Sequence, residues 1–286
     1  MAHLSKLECE RIIDAAIGIN DEEYKALALA GLGAGMAPLS PPQRDRLVDA
    51  ATDIGDEKKK AVALAGLGAG MGYLSATQRE RLVDAVTGIN DEGYKAVALD
   101  GLGVGLAHLG APERERLLDA AIGIGNERAK ALALAALGAG MAHLSSTQRG
   151  RLVDASTGIN DQWAKADALA GLGAGMEHLS EPQRGRLVDA AASIGDEGKR
   201  AVAVAGVGAG MAHLTEPQRE GLVDAATGIN DQTYKSVALV ALLAETAHLA
   251  DMQRERVAAA FTGISDEEKV DALARLVAGL TAMPSV

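Results

Sequence analysis

Ser75–Leu109 reads SATQRERLVDAVTGINDEGYKAVALDGLGVGLAHL, and variants of it recur along the whole chain at a period of 35 residues. The copies begin at His3, Pro38, Tyr73, His108, His143, His178, His213 and His248, which makes eight; the last is one residue short and drifts in sequence. A fixed period of this size marks a repeat array, in which each unit buries its apolar face on its neighbours. No linker or low-complexity run interrupts the period, so the sequence predicts one elongated domain over residues 1–286.

Each copy reads as a helical hairpin. Ser40-Pro41-Pro42-Gln43 is a capping box with prolines in the first turn, where a missing N–H has no helical partner. Ser75/Gln78, Ser145/Gln148, Ser180/Gln183 and Thr215/Gln218 repeat the signal. The first helix, A, follows, with Leu47, Ala50 and Ala51 at helical spacing. Gly18, Gly88, Gly123, Gly158, Gly228 and Gly263 stop it, each followed by Ile. The expectation there is a left-handed glycine in a Schellman cap. Asn20-Asp21 or Gly55-Asp56 then opens helix B, and so short a connection makes the two helices antiparallel.

Helix B is expected to run from Asp91 as far as the Ala-His-Leu at its end. Leu99, Leu102 and Leu106 form its core stripe. Gly101 and Gly105 share one flank and Gly103 lies on the other. Each interior glycine costs about 1 kcal/mol relative to alanine, so their recurrence predicts close approach of successive B helices on both sides. The opposite stripe holds Gly93, Val97, Asp100, Val104 and Ala107 in the third copy, and Trp163, Asp167, Ala170, Ala174 and Glu177 in the fifth. Beside it stands a position occupied by Tyr24, Lys59, Tyr94, Ala129, Ala164, Lys199 and Tyr234. Positions that vary among otherwise uniform copies are released from the shared packing task. They are expected to line the concave inner layer of the solenoid. The binding candidates are therefore Tyr24, Tyr94, Asp100, Trp163, Asp167, Glu177 and Tyr234.

A second order is superimposed. Asn20, Asn90, Asn160 and Asn230 alternate with Gly55, Gly125 and Gly195, as if the array had grown by duplicating a 70-residue pair. The eighth copy has Ala259 for the recurrent aspartate, Phe261 for a small residue, and Arg275 in its last helix, which reads as a C-terminal cap. The seventh has Leu243 and Glu245 in place of glycines. The first copy has no comparable cap, which raises either self-association through its exposed flank or a missing N-terminal segment.

Composition bounds the function. The net charge is −11, which opposes binding to phosphate backbones and anionic membranes. Cys9 is the only cysteine, and no apolar run is long enough to span a bilayer. No signal-peptide core precedes the first repeat. These point to a reducing, cytoplasmic setting, or to the host cytosol if the chain is a secreted bacterial effector.

The run Asp21, Lys25, Ala28, Leu32, Gly33, repeated in most copies, resembles the second helix of HEAT-like and armadillo-like repeats. The resemblance covers nearly the whole chain and implies an α-solenoid used as a protein-interaction scaffold. The Gly-rich second half of helix B departs from it. The junctions at Leu39 and Ala142 look faintly like those of transcription-activator-like effectors, but here the turn is Ile-Asn-Asp-Glu, with two carboxylates where a phosphate would lie. Pentatricopeptide repeats share the length and not the residues.

The remaining motifs reduce to packing. Gly31–Met36, GLGAGM, lies inside a helix with no strand before it, so it is not a dinucleotide fingerprint. His3, His108, His143, His178, His213 and His248 fall once per copy, too far apart to share a metal, and are expected at free carbonyls ending helix B. Asp14, Asp49, Asp84, Asp119, Asp154, Asp189 and Asp224 are expected to pair with arginines such as Arg46, Arg81 and Arg116. No catalytic set, metal site or cofactor site stands out. The sequence thus predicts an all-α fold, an α-solenoid (right-handed superhelix) of about eight 35-residue helix-turn-helix repeats. It acts as a non-catalytic scaffold for a basic or amphipathic peptide, helix or protein. The alternatives are a nucleic-acid-binding helical repeat protein and a structural array without a specific partner.

Overall fold

The computed structural model describes residues 5–270 and Ala274. His3 and Arg275 lie outside the described residues. Among those described there are fifteen bounded α-helices, a further helical stretch over residues 266–270, short 3₁₀ turns after most of the B helices, and no strand. The chain forms two compact units, Met1–Gln148 and Arg149–Val286.

The first unit contains α1 (Lys6–Ile17), α2 (Glu22–Gly33), α3 (Pro41–Thr52), α4 (Glu57–Gly68), α5 (Ala76–Thr87), α6 (Glu92–Gly103), α7 (Ala111–Ile122) and α8 (Glu127–Ala139). Odd-numbered helices are the A helices and even-numbered ones the B helices. Within the unit each A helix packs on its own B helix and on the next A helix, and each B helix packs on the next B helix. The second unit repeats the plan. It follows α9 (Ser146–Thr157) with α10 (Gln162–Gly173), α11 (Glu181–Ala192), α12 (Glu197–Gly208), α13 (Glu216–Thr227), α14 (Gln232–Ala244) and α15 (Asp251–Thr262). This is the all-α solenoid of helical hairpins that the period predicts.

The capping boxes form. Ser75 Oγ accepts from the Gln78 N–H at 3.2 Å while Gln78 Oε1 accepts from the Ser75 N–H at 2.8 Å. The same glutamine also joins copies, because its Nε2 donates to Asp45 of the preceding copy at 2.7 Å. Gln43 donates likewise to Glu10, Gln148 to Glu115 and Gln253 to Glu220. All four of these glutamines are buried, so the residue read as a cap is equally an inter-copy bond.

Two local expectations are corrected. No described glycine has a positive φ. Gly18 and Gly88 are right-handed helical, with φ of −72° and −80°, and Asp53 and Ser193 take the same conformation at this position. The helix ends by a tightened turn instead, in which the Ile89 N–H donates to Val86 O at 3.3 Å and Ile89 is buried as the anchor. Helix B is also shorter than predicted. α6 stops at Gly103, and Leu106–His108 is a separate 3₁₀ turn following Gly105. Bonds from Gly105 N to Leu102 O and from His108 N to Gly105 O close this stretch. Glycine is a poor helix former, and its release of the helix here swings the chain toward the next cap.

The close approach of B helices is present. A Cβ on Gly66 would fall within 3 Å of the Ala30 backbone, one on Gly101 within 3 Å of the Ala65 backbone, and one on Gly206 within 3 Å of Ala170 Cα. From the other flank, Gly33, Gly68 and Gly173 face the backbone oxygens of Gly66, Gly101 and Gly206. Successive B helices therefore touch backbone to backbone, and they lie much closer together than successive A helices.

The A layer is tied by ion pairs between copies, as expected for most of the recurrent aspartates; the arginine register that would serve Asp189 holds Gly221. Arg46 bridges Asp14 and Glu10, Arg81 meets Asp49, Arg116 meets Asp84, Arg186 meets Asp154, and Arg256 bridges Asp224 and Glu220. A ladder that the sequence reading did not anticipate runs along the A–B loops. The Glu22 carboxylate accepts from the N–H groups of Gly55 and Asp56 in the next copy, at 3.0 and 3.2 Å. Glu57 does this for Asn90 and Asp91, Glu92 for Gly125 and Asn126, and Glu197 for Asn230 and Asp231. These bonds to the charged form hold all four carboxyls below the ordinary glutamate value. The Asn/Gly alternation has a physical trace here: Asn90 and Asn230 add a side-chain N–H to the same carboxylate, at 2.8 Å.

Candidate functional site

The core stripe and the variable stripe separate as the spacing requires. Leu99, Leu102 and Leu106 are buried, while Val97, Asp100 and Val104 stand on the exposed side of the same copy. The exposed side of the B helices is thus the surface on which the copies differ.

In the first unit it carries Tyr24 on α2 and Tyr94 and Asp100 on α6, all exposed. A shallow groove of about 100 Å³ lies between α2 and α4, with Leu27 and Val62 as its apolar walls and Glu23, Lys58 and Lys59 around it. Neither Tyr24, Tyr94 nor Asp100 lines it.

The second unit has a larger groove. About 250 Å³ is enclosed by Trp163 of α10, Asp196, Gly198, Lys199, Ala201 and Val202 of the next copy, and Tyr234 and Val237 of α14. Trp163 is 52% exposed and Tyr234 45%. Lys199 Nζ lies 3.1 Å from the centroid of the Trp163 ring. The Tyr234 ring lies over Gly198, where a Cβ would come within 3.0 Å of it. Both contacts join residues 36 apart, so one register rule places them: a side chain beside the stripe leans onto the stripe of the preceding copy. Glycine at residue 198 leaves room for the tyrosine ring. Asp196 is partly committed, since one of its carboxylate oxygens accepts from the Lys199 N–H at the start of α12.

Of the sequence candidates in this unit, Trp163 and Tyr234 converge on one groove. Asp167 is exposed one turn further along α10, and Glu177 sits in the 3₁₀ turn, 3.1 Å from His178 Nε2. Lys199, Val202 and Val237 were missed as site residues. Lys199 belongs to the variable position beside the stripe, but only the 36-residue register brings it to the indole.

The other cavities belong to the junctions. A polar cleft of about 400 Å³ runs along Thr52, Glu57, Lys60, Arg81 and Asp84, and one of about 320 Å³ repeats it a copy later at Thr87, Lys95, Arg116 and Asp119. Arg81 and Glu57 are already engaged by Asp49 and by the N–H groups of Asn90 and Asp91.

Three of the histidines depart from expectation. His108 packs on Gly72 of the preceding copy's turn, and His178 and His248 face Glu177 and Glu245, rather than helix-ending carbonyls. Helix B has already ended four or five residues before each of these turns closes. Among the described residues no three His, Cys, Asp or Glu side chains are grouped as metal ligands, and no helix is long and apolar enough to cross a membrane.

The fold and site define a helical-hairpin repeat array with a variable exposed face. No model of a known protein family matches the chain, and no curated protein matches it.

Proposed function

We propose that this chain is a non-catalytic protein-binding scaffold, and that the exposed face of its B helices receives a basic or amphipathic helix of a partner. The observation that carries this reading is the Trp163–Tyr234 groove: two half-exposed aromatic rings flanking Val202 and Val237, on a face where the copies differ. Large aromatics in a partly desolvated pocket are the usual anchors of protein interfaces. The carboxylate of Asp167 beside them, and the net charge of −11, favour a basic partner over an acidic one.

Trp163 is the only tryptophan, so its emission reports on this groove alone. The test is a titration with helical peptides that share one apolar face and differ in charge. A basic peptide is expected to shift Trp163 emission and to lose affinity with Asp167→Asn and with Tyr234→Ala. Equal response to basic and acidic peptides, or no response to either, would refute the reading. Binding of single-stranded nucleic acid that falls steeply with salt would replace it with a nucleic-acid function.

A further inference from the structure

Most junctions between copies reuse the same parts, although Gly221 stands in the arginine register of the seventh copy and Gln162 and Gln232 replace the glutamate of the fifth and seventh. Arg46 reaches back to Glu10 at 2.9 Å and to Asp14, and Glu22 reaches forward to the Gly55 and Asp56 N–H groups. The first copy carries the receiving half of such a junction. Arg11 stands in the register of Arg46, is exposed, and has no ion-pair partner among the described residues. Ile12 is 36% exposed, whereas Leu47, its counterpart one copy on, is 0% exposed. Gly31 faces open space where Gly66 meets Ala30. The Asn20 and Asp21 N–H groups, counterparts of those of Gly55 and Asp56, have no acceptor among the described residues.

The eighth copy carries the giving half. Glu255 stands in the register of Glu10 and Glu267 in that of Glu22. Both are exposed, and neither is paired among the described residues.

We propose that the chain associates head to tail with a second copy of itself. The α1–α2 face of one molecule receives residues 251–270 of the next, with Glu255 on Arg11 and Glu267 on the N–H groups of Asn20 and Asp21. Charge complementarity selects this arrangement. Two α1–α2 faces would set Arg11 against Arg11 and donors against donors, whereas head and tail present opposite halves of a junction the chain already makes internally. The contact is weaker than an internal one for two reasons. Ala259 removes the aspartate rung, and Glu8 stands where Gln43 donates an amide to Glu10. Residue 275, in the register of Ala30, lies outside the described residues. A head-to-tail contact is heterologous, so it grows with concentration unless its rotation closes a ring.

The test is sedimentation of the 286-residue chain over a wide concentration range, with charge-reversal variants. The weight-average mass is expected to rise with concentration and to fall back as salt is added. Arg11→Glu alone and Glu255→Arg alone are each expected to remain monomeric, since each sets like charges across the junction. An equimolar mixture of the two variants restores opposite charges at both of its junctions and is expected to associate. Matching circular dichroism melts for the two variants establish that loss of association is not loss of fold. A mass that stays monomeric at every concentration overturns the proposal. So does association that survives either single reversal, or a mixture that fails to associate.

Discussion

Lys199 holds its ammonium 3.1 Å from the centre of the Trp163 ring, one copy and one residue further along the chain. The pair ties α10 to α12 on the exposed face and sets the width of the groove between them. At an exposed site such a contact contributes about 0.5–1 kcal/mol. A double-mutant cycle over Lys199→Met and Trp163→Leu, read from denaturant midpoints, should return a coupling energy of about that size. A coupling of zero would mean the lysine only passes over the ring.

The glycine seam gives a pair of substitutions with opposite sign. Alanine is favoured over glycine inside a helix by about 1 kcal/mol. Gly31→Ala meets nothing within 4 Å and should gain stability on that scale. Gly101→Ala drives a methyl into the Ala65 backbone and should lose about 1–3 kcal/mol despite the better propensity. Thermal melts of the two variants separate the effects, and a stabilising Gly101→Ala would contradict the close approach.

The inter-copy carboxylates make stability pH-dependent in a definite direction. Glu22, Glu57, Glu92 and Glu197 accept N–H bonds on both oxygens, which the charged form does best, and their values in the folded chain lie below the ordinary 4.5. As pH falls, the unfolded chain takes up these protons first. Their contribution is therefore complete above pH 4.5 and is lost progressively as pH drops through the lower folded values. Replacing Glu22, Glu57 and Glu92 together with Gln should flatten the acid limb of a melting-temperature profile and leave its neutral limb nearly level.

The A-layer bonds rank by burial. Arg116 and Asp84 form an exposed pair, so Arg116→Ala should cost less than about 1 kcal/mol, and less still in high salt. Gln78 is 2% exposed and joins Ser75 to Asp45, so Gln78→Ala should cost about 1–3 kcal/mol with little salt dependence. Melts at two ionic strengths check both statements.

The fold was legible because the period placed the same residue types at the same positions eight times. The core stripe, the caps, the close B–B approach and the Asp–Arg pairs all follow from spacing within a copy or from identity between copies. What escaped notice depended on where one copy meets the next. Glu22 reads as an ordinary first-turn acid, and Gln43 as an ordinary cap; each reaches its second partner about one period away. The Gly18 conformation escaped for a different reason. An apolar residue after a glycine signals a buried anchor whether the helix closes by a left-handed or a tightened right-handed turn, and Asp53 and Ser193 at the same place pointed to the latter. The site was half legible. Variation marked Trp163 and Tyr234, while Lys199 needed the register between neighbours.

The seam of glycines makes one side of each unit behave unlike the other under load. B helices already in backbone contact cannot be pressed closer, because only glycines and short alanine methyls meet along the seam. A helices stand further apart, spanned by flexible arginine–carboxylate pairs that can lengthen or re-form. Each unit should therefore bend about the B layer as a hinge line, opening along its A side and resisting closure. A partner seated on the B face rests on the stiff side of that hinge, and strain from bending is taken up on the side away from it.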